Sequence, residues 1–416
     1  MNTGKLREER LGQYVAYRDR LARALVLQHL GNLSRGSLSI SEPDGNHLVL
    51  GHGQPAGALR IHDWRTYAMM ATGGTNGAAE AWMDGLWDSD SLVDVIRFFA
   101  ANVRPLSPLR RELARMTLPV RALAHFMRRN SLSGSRRNIA AHYDLGNDFF
   151  RLFLDSRMMY SSAVFPRPDA SLEEASTYKL DRICTQLGLE PGLHLLEIGT
   201  GWGGLAIHAA RHYGCRVTTT TISREQYLHA CRRVREEGLE GRVTVLEQDY
   251  RLLRGRYDRI VSVEMIEAVG ADYLPVYFRR LGELLRPGGL LLLQAITIPH
   301  ERYHEARWRI DFIKRYIFPG GFLPSVRVME QNLSRYAGLS TLHREEIGMD
   351  YARTLRHWRQ RFLRAGAEVE AQGFDARFRR MWEYYLCYCE GAFRERAIGT
   401  VQLLAGGRAG EHSRGS

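Results

Sequence analysis

The residues best placed to do chemistry fall into four clusters. The first is His194-Leu-Leu-Glu197-Ile-Gly199-Thr-Gly201-Trp-Gly203-Gly204, which reads as a strand, a glycine-rich turn and the start of a helix. Glycines at such a turn let a ligand lie against bare backbone. A dinucleotide-binding turn spaces its glycines Gly-x-Gly-x-x-Gly and puts an acid on the ribose about 20 residues later. Here the spacing is Gly-x-Gly-x-Gly-Gly, and Glu197 precedes the first glycine. The following strand ends in Thr218 to Thr221, Ile222 and Ser223, with no carboxylate. An acid ahead of the turn suits a cationic ligand such as the sulfonium of S-adenosylmethionine (SAM). A dinucleotide site and a purely structural strand–helix turn are the alternatives.

The second cluster runs from Asn138 through His142, Tyr143, Asp144, Asn147 and Asp148 to Met159-Tyr160-Ser161-Ser162. It is dense in hydrogen-bonding groups and ends in aromatics, and it could equally be a capped loop. The third, Ser262-Val-Glu264-Met-Ile-Glu267-Ala-Val-Gly270, closes a strand. Open α/β sheets bind ligands at the carboxyl ends of their strands, so carboxylates there are well placed for function. A surface acid or helix cap is the plainer reading. The fourth, Tyr316-Ile317-Phe318-Pro-Gly-Gly321-Phe322-Leu323-Pro324-Ser325, is apolar and rich in turn residues. It could line a pocket for a long apolar chain or simply pack as a loop.

The elements that must position these clusters follow from periodicity. Helix 178–188 leads into strand 193–197, the glycine turn, a helix near 203–213 and strand 215–221. Helix 224–237, strands 242–246 and 258–263, helix 273–285 and strand 289–296 follow. Strands alternating with helices imply a parallel sheet with right-handed crossovers. Arg286-Pro287-Gly288-Gly289 is a helix stop. Upstream, the first 100 or so residues read as a small mixed α/β domain. It has an amphipathic helix in 10–32, strands at Ser37–Ser41 and His47–Leu50 around Pro43-Asp44-Gly45, and a strand at Leu59–His62. Gly73-Gly74 and Gly77 suggest a loop, and Ser89 and Asp90 a cap before Leu92–Phe99. The expected partition is a domain in 1–110, a basic linker in 111–137, a catalytic domain in 138–405 and a disordered tail in 406–416.

Composition bounds the class. The chain has 416 residues, 44% hydrophobic and 25% charged, which excludes wholesale disorder. Its net charge of +12 favours an anionic partner, nucleic acid or membrane. Nine arginines between Arg104 and Arg137, against the single acid Glu112, interleave with apolar residues. That pattern suits an anionic membrane surface, or else a solvated basic face on a linker. No stretch reaches the ~18 unbroken apolar residues of a membrane span. The charged start MNTGKLREER lacks the apolar core of a signal peptide. Five scattered cysteines suit a reducing cytoplasm, and Cys387-x-Cys389 alone makes no metal site.

Taken in order, NIAAHYDLGNDFF, MMYSSAVF, LLEIGTGWGGLA, TTTISREQ, EQDYR, DRIVSVEMIEAVG, LLRPGG and YIFPGGFLPS resemble the cyclopropane-fatty-acyl-phospholipid synthases. The resemblance spans about Asn138 to Leu404. It implies a class I SAM-dependent methyltransferase domain, Rossmann-like, behind the small N-terminal domain. It also implies alkylation of the double bond in unsaturated acyl chains of membrane phospholipid. Its motifs assign Tyr160 and Ser161 to the methionine end of SAM, and Gly199 and Gly201 to the cradle behind Glu197. They assign Thr221, Ser223 and Gln226 to the ribose and adenosine, and Tyr250 to the adenine.

An alkene is a poor nucleophile, so such a site must align it with the sulfonium methyl and exclude water. The carbocation left on the chain wants aromatic faces, for which Tyr316, Phe318 and Tyr351 are candidates. A base must then take a proton: loss from the new methyl closes a ring, and loss elsewhere leaves an alkene. The family's base is a bound bicarbonate held by Cys, Glu, His, an Ile carbonyl and Tyr. Here Glu267, Ile296 and Tyr351 match, while Ser162 stands for the Cys, Gln294 for the His, and Ala268 for a His that often follows the Glu. The departures put the product in question. A cyclopropane is the first expectation, a methylene- or methyl-branched chain from a C-methyltransferase the second, and a non-catalytic lipid- or SAM-binding protein the third. A nucleic-acid partner is not expected, since no base-flipping Asn-Pro-Pro-Tyr loop is present. The resemblance further implies a cytoplasmic protein, peripheral on the inner membrane face, with a homodimer as an open state.

Overall fold

The computed structural model describes residues 18–103 and 145–407. They fall into two compact units, 18–103 with Gly366–Ala397, and 145–365 with 398–407. The expected amphipathic helix appears as α1 over 18–31, with 10–17 outside the described residues. The expected hairpin is β1 (Gly36–Ser41) against β2 (His47–His52), antiparallel, and β3 (Ala56–Ile61) pairs parallel to β1. Helix α2 (Arg65–Met83) corrects the loop expected at Gly73 to Gly77. The glycines make a kink instead: Gly74 has φ 56°, and a Cβ on Gly77 would run into the Met69 carbonyl. Strand β4 (Trp87–Asp88) completes a sheet of order β2-β1-β3-β4, and α3 (Leu92–Ala101) starts after Ser91 rather than Ser89 or Asp90, with the Ser91 hydroxyl donating to the Asp94 carboxylate and not accepting from a helix amide.

In the second unit, α4 (Asn147–Arg151) and α5 (Leu172–Gln186) precede the sheet. Helix α5 starts six residues earlier than expected because Ser171 and Glu174 form a reciprocal capping box. Then come β5 (His194–Ile198), α6 (Gly204–His212), β6 (Arg216–Thr221), α7 (Arg224–Glu236), β7 (Val243–Glu247), β8 (Tyr257–Val263), α8 (Leu274–Leu284) and β9 (Leu285–Thr297). Leu285 to Gly289 forms a bulge, so the register jumps from Tyr257↔Leu285 to Arg259↔Leu290. Side chains alternate between two cores. Leu196, Ile260, Leu291 and Leu293 face one, and Leu195, Val217, Val261 and Leu292 the other. Both faces are covered, as a parallel sheet requires.

Helices α9 (His300–Trp308) and α10 (Val326–Asn332) lead to β10 (Leu339–Glu346) and α11 (Gly348–Arg364). Helices α12 (Gly366–Ala371) and α13 (Ala376–Arg394) return to the first unit, which corrects the expected catalytic span of 138–405. The reason is packing. Gly391 of α13 lies against Ile96, Arg380 covers the Trp82 ring at 4.1 Å, and the Trp82 indole donates to the Arg380 carbonyl. The chain then re-enters the second unit as β11 (Gly399–Gly407), so residues 406 and 407 of the expected tail are strand. The sheet order is β10-β11-β9-β8-β5-β6-β7, with β11 antiparallel between β9 and β10. Only the parallel part was expected. The class I SAM-dependent methyltransferase fold is present, and its chain order reverses at β5, between β6 and β8. The basic stretch 104–137, residues 138–144 of the second cluster and the tail 408–416 lie outside the described residues.

Candidate active site

The glycine turn leaves β5 at the point where the order of strands reverses, which is where such sheets bind ligands. Gly201 is left-handed (φ 53°), and a Cβ there would meet nothing within 4 Å, so the turn presents open backbone. Gly204 packs under Met159, and the Trp202 indole donates to Asn147 Oδ1 at 2.6 Å. The first contact joins the turn to the Met159–Ser162 segment and the second joins it to α4. Thr221, Ser223 and Gln226 lock together at the end of β6. The Ser223 amide donates to the Thr221 hydroxyl and the Gln226 amide to the Ser223 hydroxyl. The Thr221 hydroxyl contacts Gln226 Oε1 at 3.0 Å. Tyr250 follows β7, edge-on to Tyr277 at 5.4 Å, with its hydroxyl pushed up by burial.

Glu197 is buried and turned onto the neighbouring strand, where the Thr219 hydroxyl donates to it at 2.6 Å. Burial pushes its carboxyl up to about 8. Beside it lies Lys179, a residue missed in the sequence reading. Lys179 is wholly buried, its ammonium donates to the Ser161 hydroxyl at 2.7 Å, and burial lowers its pKa to about 8. Glu264, Asp155 and Glu197 oppose that lowering. The signal was available: Lys179 sits on the apolar stripe of α5 with Ala175, Leu180 and Ile183. A buried ammonium with one hydrogen bond has donors to spare for a ligand carboxylate. That spare capacity, next to the open turn, fits the methionine end of SAM.

On the adjoining strand, Glu264 closes β8 in a left-handed conformation (φ 49°), rare for a residue with a side chain. Its Oε1 accepts from the Ser162 amide and the Gln294 side-chain amide, both at 2.8 Å. Its Oε2 accepts from the Tyr351 hydroxyl at 2.7 Å. The Gln294 amide is turned this way because Gln402 donates to its oxygen at 3.0 Å. Glu267 sits one turn on. Its Oε1 accepts from the Ile296 amide at 2.6 Å, and its Oε2 is buried without a hydrogen-bond partner. Burial, then the nearby Glu264, pushes Glu267 up to about 8. Burial also raises Glu264, against the opposing pull of three donors and Lys179. The donors of the pair therefore gather on Glu264, whereas Glu267 holds a single amide from β9.

The five residues expected around bicarbonate are thus together, in a different arrangement. Ser162 contributes its amide, while its hydroxyl bonds the Ala163 carbonyl. Ile296 contributes its N–H rather than its carbonyl. Gln294 and Tyr351 grip Glu264 and not a separate anion. Bicarbonate does not fit this arrangement: the Glu264 side chain already holds the donors of Ser162, Gln294 and Tyr351. Glu264 was noted in the sequence beside Glu267 without a role. The missing signal was contact across long separations.

A cluster of aromatic rings adjoins Glu264 through Tyr351. Tyr160 lies 5.3 Å from Trp358 and 6.4 Å from Phe318, and Tyr351 is edge-on to Trp358 at 6.1 Å. Phe318 and Tyr351 thus belong to one ring cluster with Tyr160 and Trp358. Tyr316 pairs with Phe312 at 5.4 Å. The amide of Phe322 donates to the Glu267 carbonyl at 3.0 Å, which pins the apolar 316–325 segment to the carboxylate turn. Among the described residues no cluster of metal-ligating side chains is present, and no helix is long and apolar enough to cross a membrane.

A family model described as mycolic acid cyclopropane synthetase matches residues 130–403. A tuberculostearic acid methyltransferase of Mycobacterium tuberculosis is 41% identical over 336 residues, 79% of this chain and 78% of the relative. The cyclopropane-fatty-acyl-phospholipid synthase of Escherichia coli K12 is 39% identical over 355 residues, 85% of this chain and 88% of the relative. The solved mycolic acid cyclopropane synthase CmaA1, complexed with SAH and CTAB, matches with a TM-score of 0.61 at 32% identity. It covers 65% of this chain and 97% of that one.

Proposed function

Because this chain belongs to the mycolic acid cyclopropane synthetase family and is a SAM-dependent methyltransferase, we propose that it alkylates the double bond of unsaturated acyl chains in membrane phospholipid. The observation that carries this reading is the buried carboxylate of Glu264, backed by aromatic rings, on the strand beside an open glycine turn. SAM, when bound, supplies an electrophilic methyl on a sulfonium. Gly199 and Gly201 would hold it against backbone, and Lys179 and Ser161 would take its methionine carboxylate. Tyr160, Thr221, Ser223, Gln226 and Tyr250 would line the rest of the molecule, with Glu197 supporting from behind.

The chain's residues then do three things. The Tyr160, Trp358, Phe318 and Tyr351 rings exclude water from the reacting carbons. Their faces stabilise a cation on the acyl chain by ~2 kcal/mol or more when desolvated. A carboxylate accepts the proton that the cation releases. A ring and a methylene branch are two outcomes of that one removal. The branch is a second reading, favoured by Ser162, Gln294 and Ala268 in place of the ring-forming pattern and by similarity to a tuberculostearic acid methyltransferase.

The arginine-rich sequence of 104–137 supports docking on an anionic, inner membrane face, at ~1 kcal/mol per basic residue near the surface. The test is lipid mass spectrometry from a host expressing the protein. Acyl chains should gain one CH2 group, and ozonolysis then separates a ring, which survives, from a branch alkene, which is cleaved. Unchanged acyl chains from a host rich in unsaturated phospholipid would overturn the reading.

A further inference from the structure

Three donors from positions expected around a small anion grip Glu264 instead. The Ser162 amide, the Gln294 side chain and the Tyr351 hydroxyl come from segments 102, 30 and 87 residues away and meet on its two oxygens. Glu264 also bears a left-handed backbone, a strain that a side chain adopts only where its surroundings hold it. Glycine would occupy that position without cost. The side chain is therefore retained against local preference, at the end of the strand next to the glycine turn.

We propose that Glu264 is a built-in proton acceptor that fills the bicarbonate position, so that turnover in this enzyme needs no bicarbonate. The inference rests on the alkylation reading above. The balance is simple. The alkene π pair forms the new C–C bond as the methyl leaves sulfur, which departs as the neutral thioether. The positive charge moves to the neighbouring chain carbon. Glu264 takes one proton from the alkylated chain and becomes a neutral carboxyl, while the C–H pair closes either a three-membered ring or a C=C bond. No oxidant or reductant enters. Tyr351 and Gln294 act as positioning residues that hold the carboxylate toward the chamber. Glu267 lies one turn on, with one oxygen held by the Ile296 amide.

Two measurements test this. The first is binding of 13C-bicarbonate, followed by NMR line broadening, which needs no lipid and no turnover. The native protein should show no saturable binding. Glu264→Gly, which relieves the strained backbone and so should fold, should bind it. Saturable binding by the native protein, or none by Glu264→Gly with a native melting profile, would overturn the proposal. The second is methyl transfer from SAM to unsaturated phospholipid vesicles in buffer purged of carbon dioxide. Native turnover should be unchanged by added bicarbonate. Glu264→Gln should lose at least ~100-fold, the scale of one preorganised electrostatic group, and gain nothing from bicarbonate. Glu264→Gly should lose as much and recover at least tenfold with bicarbonate or acetate. Native turnover that collapses without bicarbonate, or a Glu264→Gln enzyme within threefold of native, would sink the idea. A native protein that alkylates no acyl chain would refute the function, while the binding experiment still decides who occupies the anion position.

Discussion

The glycine turn and the carboxylate chamber lie on adjoining strands, β5 and β8, yet they are built on opposite principles. The turn is local. Its binding surface is backbone left bare by glycines within six residues of one another, Gly199 to Gly204. The chamber is assembled from side chains and two backbone amides on distant segments, and its central group sits in a strained conformation. A site made of backbone tolerates change in its surroundings but not on the turn itself. A site made of converging side chains can have its chemistry altered by one substitution that leaves the fold intact. The binding half of this enzyme should therefore respond to bulk, and the reacting half to single hydrogen bonds.

The largest expected effect tests the second half of that contrast. Tyr351→Phe removes the hydroxyl on Glu264 Oε2 and leaves the ring that packs on Trp358. We expect the turnover number to fall by ~100-fold, in line with losing one preorganised donor. SAM affinity measured by calorimetry should move by less than threefold. A matching drop in SAM affinity would show that the two regions are not separable.

The next effect tests the turn. Gly201→Val places a branched side chain in the open space and forces a left-handed β-branched residue, which costs ~1–2 kcal/mol. We expect SAM affinity to weaken at least tenfold by calorimetry, with a modest drop in melting temperature. Native affinity in this variant would remove Gly201 from the ligand surface.

The smallest effect sharpens the division of labour between the two glutamates. With Glu267 pushed up to about 8 by burial, Glu267→Gln should cost less than tenfold in rate, far below Glu264→Gln. The pH dependence of stability should change as well. Glu267 and Glu197 both rise to about 8 on folding, so the folded state holds protons that the unfolded chain releases near 4.5. That stabilisation is complete below pH 4.5 and is lost as the pH rises through 8. The melting temperature should therefore decline across pH 5–8, and each Glu→Gln variant should flatten the decline. An unchanged slope in both variants would mean that these carboxyls are ionised in the native protein.

How much was legible beforehand differs along the same line. The β5 turn, the alternation of strands and helices, and the position of Glu264 and Glu267 at a strand end all follow from spacing within a few residues. The helix in 65–83 was misread because Gly73, Gly74 and Gly77 signal a break, whereas the structure uses them for a kink and a close approach to Met69. The return of α13 to the first unit was invisible, because a stripe such as Trp382, Tyr385 and Phe393 says that it is buried but not against what.

Residue types and short-range spacing were enough to specify the kind of ligand surface at the glycine turn, since backbone conformation there depends on the glycines themselves. They also specified the family's chemistry through several ordered motifs. Which carboxylate collects the donors was decided only by the fold. A glutamate's state depends on the donors and ions within a few ångströms. For Glu264 these are Ser162, Gln294, Tyr351 and Lys179, and for Glu267 a single backbone amide from Ile296. Nothing in the sequence around 264–267 encodes that difference. It arises when β9, α5, α11 and the 159–162 segment close around the end of β8.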